Sequence, residues 1–270
     1  MSFPNSYLFV PATSPDRFVK AASSGAHRII IDLEDAVAPA EKATARENVA
    51  DWFRQGGAGL VRVNGTDSQW FVDDLAALKD FHSVELMIPK ASVRSLQDVD
   101  EHMPGQQVLA LVETVEGIVQ IQDLACFSTV SRLAFGNLDF AFDAGVSASS
   151  AIIDHARIQM ALASRYSGLP APVDGVTVDF SDEENLTNDV VHARNLGFSG
   201  KLCIHPRQIG LVNRGFQPTD DELEWARKID HAARLAGGSV IQVGGKMVDK
   251  PVIDRARAIL AAARQAPAVD

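Results

Sequence analysis

The chain is poor in cysteine, with Cys126 and Cys203 as the only two in 270 residues. Two thiols cannot build a disulfide scaffold or a cysteine-walled metal site, so a reducing cytoplasm is the expected compartment. No apolar run approaches the roughly 18 residues that span a bilayer, and no membrane segment is expected. The start, Met1-Ser2-Phe3-Pro4-Asn5, has neither a basic stretch nor an apolar core, which argues against secretion. Positive charge is scarce too: 25 Lys and Arg stand against 35 Asp and Glu, for a net charge of −10. That balance argues against a nucleic-acid groove as the main surface. An anionic substrate would have to be met by a few concentrated cations or by a metal ion. With 22% charged and 46% hydrophobic residues, the chain fits neither disorder nor a membrane protein. It carries no internal sequence repeat beyond its secondary-structure rhythm and no low-complexity segment.

Short β-branched runs recur, each followed by a helix-length stretch. The runs cover 7–10, 28–32, 60–63, 84–88, 108–112, 132–135, 176–180 and 201–204, mostly spaced as βα units require. Most are apolar on both faces, as in Ile29-Ile30-Ile31 and Leu109-Ala110-Leu111-Val112. That pattern suits parallel strands covered on both sides. Helices are expected over 15–24, 39–55, 70–80, 92–101, 115–125, 151–167 and 182–196. Ser14 before Pro15, and Pro39 followed by Glu41, serve as start signals. Gly25, Gly56 and Gly197 serve as stops. Eight alternating units predict an α/β fold of the (β/α)8 TIM-barrel type, with a doubly wound open sheet as the fallback. The barrel is expected over 1–215. Residues 216–270 form a C-terminal appendage: a helix over 220–235, a strand over 239–243 and a last helix over 251–264.

In such a barrel, residues just past the C-terminal strand ends converge on one mouth, where chemistry sits. Strand two is followed there by Asp32-Leu33-Glu34-Asp35, and strand three carries Arg62 before Asn64-Gly65. The next three are followed by Pro89-Lys90, Glu113-Thr114 and Gly136-Asn137-Leu138-Asp139, and the eighth by His205-Pro206. Several carboxylates at one rim repel each other unless a cation neutralises them or some take up protons. Oxygen donors without cysteine favour a hard ion such as Mg²⁺, which takes one or two protein carboxylates and fills its octahedron with water and substrate oxygens. Glu113 and Asp139 follow adjacent strands and are the candidate pair. The bland alternative has them capping the next helices or pairing with Arg62 and Lys90. Arg62 either grips a substrate carboxylate or forms a structural ion pair with the acids of 32–35. Lys90 is a candidate Schiff-base lysine, less attractive beside an acid cluster. His205 reads as structural, and Trp70 and Phe71 as core. Gly244-Gly245-Lys246 is too short for a phosphate loop.

Taken as an ordered set, these residues make the chain resemble the citrate lyase β-subunit-like family. Its relatives include malyl-CoA, methylmalyl-CoA and citramalyl-CoA lyases and, more distantly, 2-keto acid aldolases. The resemblance runs through Leu8-Phe9-Val10-Pro11 with Pro15 and Lys20-Ala21, then Asp32-Leu33-Glu34-Asp35-Ala36-Val37 and Val61-Arg62-Val63-Asn64-Gly65. It continues through Pro89-Lys90, Glu113-Thr114, Phe135-Gly136-Asn137-Leu138-Asp139-Phe140, Ile204-His205-Pro206 and Gly245-Lys246-Met247-Val248-Asp249. Two departures stand out. Ala12 replaces a glycine common after that proline, and the chain is short for a malyl-CoA lyase.

The resemblance implies Mg²⁺, with Mn²⁺ as a substitute, held by Glu113 and Asp139. Arg62 would contact the reacting acid, with Asn64, Gly136 and Asn137 beside it. Glu34 or Asp35 would hold metal-bound waters. Asp249, supplied across a subunit boundary by the appendage acting as a lid, would move a proton at the acetyl carbon. A CoA thioester arm would enter by Pro11, Arg17 and Lys20, where a helix N-terminus suits phosphate. The implied activity is a carbon–carbon lyase reaction on a citryl-, malyl- or citramalyl-like thioester, giving a 2-keto acid and acetyl-CoA or a homologue. A homotrimer or hexamer is the implied assembly, and an acyl carrier protein can replace CoA. Rival readings are a metal-dependent aldolase on free 2-keto acids, thioester hydrolysis, and a non-catalytic keto-acid-binding subunit of a lyase complex.

Overall fold

A computed structural model describes residues 3–81, 83–235, 241–243 and 246–265. Eight parallel strands close into a barrel in chain order: β1 (Ser6–Pro11), β2 (Arg28–Asp32), β3 (Leu60–Arg62), β4 (Glu85–Ile88), β5 (Val108–Val112), β6 (Val130–Phe135), β7 (Val173–Asp174) and β8 (Gly200–Cys203). The helices between them are α1 (Phe18–Ala22), α2 (Lys42–Arg54), α3 (Phe71–Leu78), α4 (Val93–His102), α5 (Val115–Val119), α6 (Ile121–Cys126), α7 (Asn137–Asp143), α8 (Ala151–Tyr166) and α9 (Glu183–Asn195), with α10 (Ile209–Gly215) after β8. This is the expected (β/α)8 barrel. Both cysteines are free thiols. Among the described residues no helix is long and apolar enough to cross a membrane.

The period of two along a strand decides which side chains fill the barrel. Tyr7, Ile30, Leu60, Met87, Leu109, Leu111, Ala134, Val173 and Leu202 form one buried cluster, contributed by all eight strands. Their neighbours, such as Val108, Ala110 and Val112 on β5, are equally buried because the helices cover the outside. Hence the doubly apolar runs in the sequence.

Several local expectations are corrected. The strand expected over 176–180 is replaced by the two-residue β7, whose Val173 pairs with Ala134 and Gly200. Polar side chains occupy the backbone downstream instead of a ladder: Val176 donates to and accepts from the Asn137 amide, and Thr177 O accepts from Gln208 Nε2. The helix expected over 15–24 breaks into a 3-10 turn (Pro15–Arg17) and the five-residue α1. The stretch after Gly136, for which no helix was expected, opens α7 and puts Asp139 in its first turn. Trp70 is half-buried rather than core, while Phe71 is buried as expected.

Outside β7 and β8, a buried charge cluster clips α8 to the barrel. Asp174 accepts from Lys201 Nζ (3.0 Å) and Arg157 Nε (2.8 Å). Burial pushes the Asp174 carboxyl up, but the charges of Lys201 and Arg157 outweigh it and hold it below the usual carboxylate range. Replacing Asp174 by Ala leaves Lys201, 1% exposed, without its counter-charge. The expected loss is about 3–5 kcal/mol, measured by urea unfolding.

The chain divides at 213/214 into two compact units. In the C-terminal one, α11 (Asp220–Leu235) packs on α12 (Lys250–Gln265) around Ala226, Ile229, Ala233, Ile253 and Ala256. An antiparallel pair, β9 (Ile241–Val243) and β10 (Lys246–Val248), completes it. Part of the strand expected over 239–243 lies outside the described residues, as does Gly245 of the terminal motif.

Candidate active site

The inward register that fills the barrel continues past the strand ends and builds the mouth. Two residues beyond Ile30 comes Asp32, beyond Leu60 comes Arg62, and beyond Leu111 comes Glu113. Beyond Ala134 comes Gly136 and beyond Leu202 comes Ile204. All five line one cavity of about 370 Å³, together with Asp35, Asn137, Asp139 and apolar residues that include Phe9 and Val176.

Arg62 is the cation of this cavity. Its Nε and Nη2 donate to the two oxygens of Asp32 at 2.8 and 2.6 Å, a bidentate grip. Its Nη1 lies 3.0 Å from Glu34 Oε2 and 3.2 Å from Asp35 Oδ2, and the guanidinium stacks over Phe9. Burial pulls its pKa down, but the hydrogen bonds and charges of Asp32, Glu34 and Asp35 outweigh that and raise it. The ion-pair alternative is therefore realised, with the group still facing the cavity.

Glu113 is 3% exposed and accepts the Lys90 backbone N–H at Oε1, 2.9 Å. Lys90 takes φ +48° to present that N–H, a left-handed conformation that costs a side-chain-bearing residue about 1–2 kcal/mol. Glu113 does not cap α5, because Thr114 does. A Cβ on Gly136 would overlap the Glu113 side chain, so the chain keeps glycine where this carboxylate needs room. Asp139 is exposed and its charge acts on Glu113.

The charges are unbalanced. Burial first, then the charges of Glu34 and Asp139, push the Glu113 carboxyl up to about 8 against the lowering by Lys90 N–H and Arg62. Burial also pushes Glu34 to about 7, with Arg62 opposing and Asp35 and Asp32 adding. Glu34 Oε2 is buried without a hydrogen bond, its approach to Arg62 being ion-pair distance without alignment. Excess carboxylate, an orphaned buried oxygen and all-oxygen donors fit a hard divalent cation at Glu113 and Asp139. Among the described residues no three of His, Cys, Asp and Glu converge on one point.

A proton-linked prediction arises here. At pH 7 Glu113 holds its proton in the metal-free fold, so magnesium binding should release about one proton and tighten as pH rises toward 8. Calorimetry in buffers of different ionisation enthalpy measures the release. The stability sign follows: the unfolded glutamate loses its proton near pH 4.3 and the folded one near 8. This group's contribution therefore lowers stability in EDTA as pH rises through that window, then levels off.

Behind the mouth, Lys42 holds the loop after β2. Its buried ammonium donates to Leu33 O, Glu34 O and Asn64 Oδ1 at 2.6–2.7 Å, and Asn64 Nδ2 in turn donates to Leu33 O and Asp74. Asn64, expected beside the substrate, is a buried strut instead and does not line the cavity. Neither do Pro11, Arg17 and Lys20; the short α1 replaces the helix N-terminus expected there for phosphate. Asn137 lines it; its amide oxygen accepts from Val176 N and one of its two amide N–H groups donates to Val176 O. His205 accepts from Arg207 N and stacks on Phe180, a structural role. Asp249 belongs to the C-terminal unit and accepts from Val252 N at the start of α12 (3.4 Å). Lys42 and Asp74 were not singled out from the sequence. Their signal was a charged residue in an apolar stripe: Lys42 with Ala45, Val49 and Phe53, and Asp74 with Phe71, Leu75 and Leu78.

The site is therefore the acid-rich C-terminal mouth of a (β/α)8 barrel, with Glu113, Asp139 and a carboxylate-gripped arginine on one cavity. The family profile HpcH/HpaI aldolase/citrate lyase matches residues 5–206, and the chain belongs to that family. A citrate lyase subunit beta-like protein of Mycobacterium tuberculosis is 34% identical, the match covering 96% of each chain. A (3S)-malyl-CoA thioesterase of Cereibacter sphaeroides is also 34% identical, over 96% of this chain and 94% of that one. Among solved structures, CitE from Mycobacterium tuberculosis in complex with magnesium, acetoacetate and coenzyme A superposes with TM-score 0.86. It is 33% identical, with 98% of this chain and 99% of that one covered.

Proposed function

We propose that the protein is a magnesium-dependent carbon–carbon lyase that cleaves, or forms, a 3-hydroxyacyl thioester of citryl, malyl or citramalyl type. The products are a 2-keto acid and acetyl-CoA or a homologue. The observation that carries this is the pair Glu113 and Asp139 on one cavity with Arg62, in a fold whose relatives bind magnesium, keto acids and coenzyme A. Glu113 and Asp139 would hold the ion. Bound there, magnesium supplies Lewis-acid charge at the carboxylate and hydroxyl oxygens of the substrate.

The chain's own residues do the rest. Glu34 is half-buried, with its carboxyl pushed up to about 7; it borders the adjoining cavity that shares Asp35 and from there would take the hydroxyl proton as the C2–C3 bond breaks. Arg62 orders Asp32, Glu34 and Asp35 and adds fixed positive charge toward the developing oxygen charge. The bond's electron pair passes to the thioester enolate, whose carbon Asp249 of a neighbouring copy protonates. Asp35 orients water at the mouth. Pro11, Arg17 and Lys20 meet the CoA or carrier-protein arm outside the cavity. A cytoplasmic homotrimer or hexamer suits an acid supplied in trans.

Malyl-, citramalyl- and citryl-CoA incubated with magnesium test this. Keto acid should form, and EDTA should stop it; full activity in EDTA would sink the metal assignment. The 34% identity to a malyl-CoA thioesterase favours one second reading, hydrolysis, which releases free thiol without keto acid. Mixing inactive Asp249→Asn and Arg62→Met proteins should restore some turnover if Asp249 acts across subunits.

A further inference from the structure

Helices on the outside of a barrel turn polar residues to water. α4 exposes Arg94, Gln97, Glu101 and His102, and α2 exposes Ala43, Thr44, Glu47, Asp51 and Arg54. α8 breaks that pattern. Ile153, Ala156, Met160 and Ala163 face the barrel, yet Ile152, Ile158, Leu162 and Tyr166 are all exposed. Ile158, Leu162 and Tyr166 follow at the i, i+4 spacing that stacks side chains on one helix face. The neighbouring helices extend the patch. α5 and α7 both pack against α8, and Asp143 Oδ2 accepts from Val115 N to tie α7 to α5. Those two helices expose Val115, Val119 and Phe142, with Phe142 89% and Val119 79% accessible. Together these residues present on the order of 800 Å², about what one partner buries in a standard stable interface. The largest apolar patch of an ordinary monomer is roughly 300–600 Å².

We propose that a second copy of this chain covers this face, its α8 lying antiparallel to the first about a two-fold axis. Two features of α8 ask for the same register. Asp154 stands in its first turn and Arg165 in its last, about three turns apart and so on one flank. Both contacts of Asp154, with Arg157 and with His192 of α9, use Oδ1, which leaves Oδ2 for a donor from outside. An antiparallel mate centred between the two residues sets Asp154 of each copy beside Arg165 of the other. The same centring sets Ile158 opposite Leu162. A surface complementary to itself is what an isologous contact needs, and an unrelated partner would not require it. The contact uses the outer wall of the barrel and holds whichever reaction the mouth performs. Of the two assemblies proposed above, only the hexamer contains a two-fold axis.

Light scattering on the full-length protein after gel filtration reads the contact. The wild type should hold an even number of chains. Leu162→Glu, a charge at a position already 63% exposed, should about halve the mass. Val72→Glu, at an exposed valine of α3 away from the patch, should keep it. An odd number of chains, or an unchanged mass in Leu162→Glu, overturns the proposal; so does a wild type that runs as a single chain, which leaves the face to some other partner. A second arm reads the register and does not depend on Leu162→Glu folding. In a Cys126→Ser background, which removes the exposed native thiol, co-expressed Ile158→Cys and Leu162→Cys chains should form a covalent pair under mild oxidation. Gln97→Cys, on the exposed face of α4, should stay single. No covalent pair from the α8 variants overturns the antiparallel contact.

Discussion

Glu113→Gln and Asp139→Asn should each remove magnesium-dependent keto-acid formation, with a fall well beyond the roughly 10–100-fold that loss of a supporting outer-shell contact brings. Each should also lose magnesium binding by calorimetry, which separates ligand loss from damage to the acid–base groups. Their stabilities should diverge. Glu113 is buried, and its carboxyl is pushed up to about 8, so above pH 8 the metal-free fold carries a carboxylate that its surroundings disfavour. Gln keeps the acceptor for Lys90 N–H and has no charge to desolvate. Glu113→Gln should therefore melt at or above the wild type in EDTA at pH 8.5. Asp139 is exposed, and Asp139→Asn should leave the melting temperature near the wild-type value. Wild-type magnesium affinity in both variants would refute the ligand assignment.

The barrel was legible because parallel strands covered on both faces must be apolar on both, and Ile29-Ile30-Ile31 or Leu109–Val112 cannot be much else. The mouth was legible for a related reason: in a strand of period two, the polar residue two positions past an inward apolar one faces the same axis. Arg62 and Glu113 follow that rule, and Asp139 arrives by a helix turn that the sequence did not announce. The failures have physical causes as well. Val176-Thr177-Val178-Asp179-Phe180 alternates as a half-buried strand does, while the real β7 has two residues, too few for any periodicity. Side chains from Asn137 and Gln208, remote in sequence, hold the 176–177 backbone, and no local pattern reports that. The left-handed Lys90 is equally silent, because glycine, asparagine and aspartate are the residues that advertise this conformation. Asn64 was placed beside the substrate by its position after a strand. Its partners Lys42 and Asp74, both charges in apolar stripes, show that it braces the loop instead.

Removing Arg62 should be the most damaging single change to the fold at this mouth. The guanidinium is 8% exposed and Asp32 2%, so Arg62→Met leaves a buried carboxylate that has lost both of its charged hydrogen bonds, beside Glu34 and Asp35. Breaking such a pair typically costs about 3–5 kcal/mol, because the remaining charge is neither solvated nor compensated. The deficit carries a pH signature. Glu34 is pushed up to about 7 by burial, with the charge of Arg62 opposing that rise; without the arginine it should hold its proton more tightly still, so the loss is present near neutral pH and shrinks as pH falls and Glu34 is protonated. A pH-independent loss would instead point to missing packing over Phe9. The double variant Arg62→Met with Asp32→Asn separates these terms again, since neutralising the stranded partner should recover a good part of the stability. It should recover no turnover, because the fixed positive charge at the mouth is still gone. Stability returning without activity would show that the arginine both holds the acid cluster together and acts on the substrate, and the return of both would confine it to scaffolding.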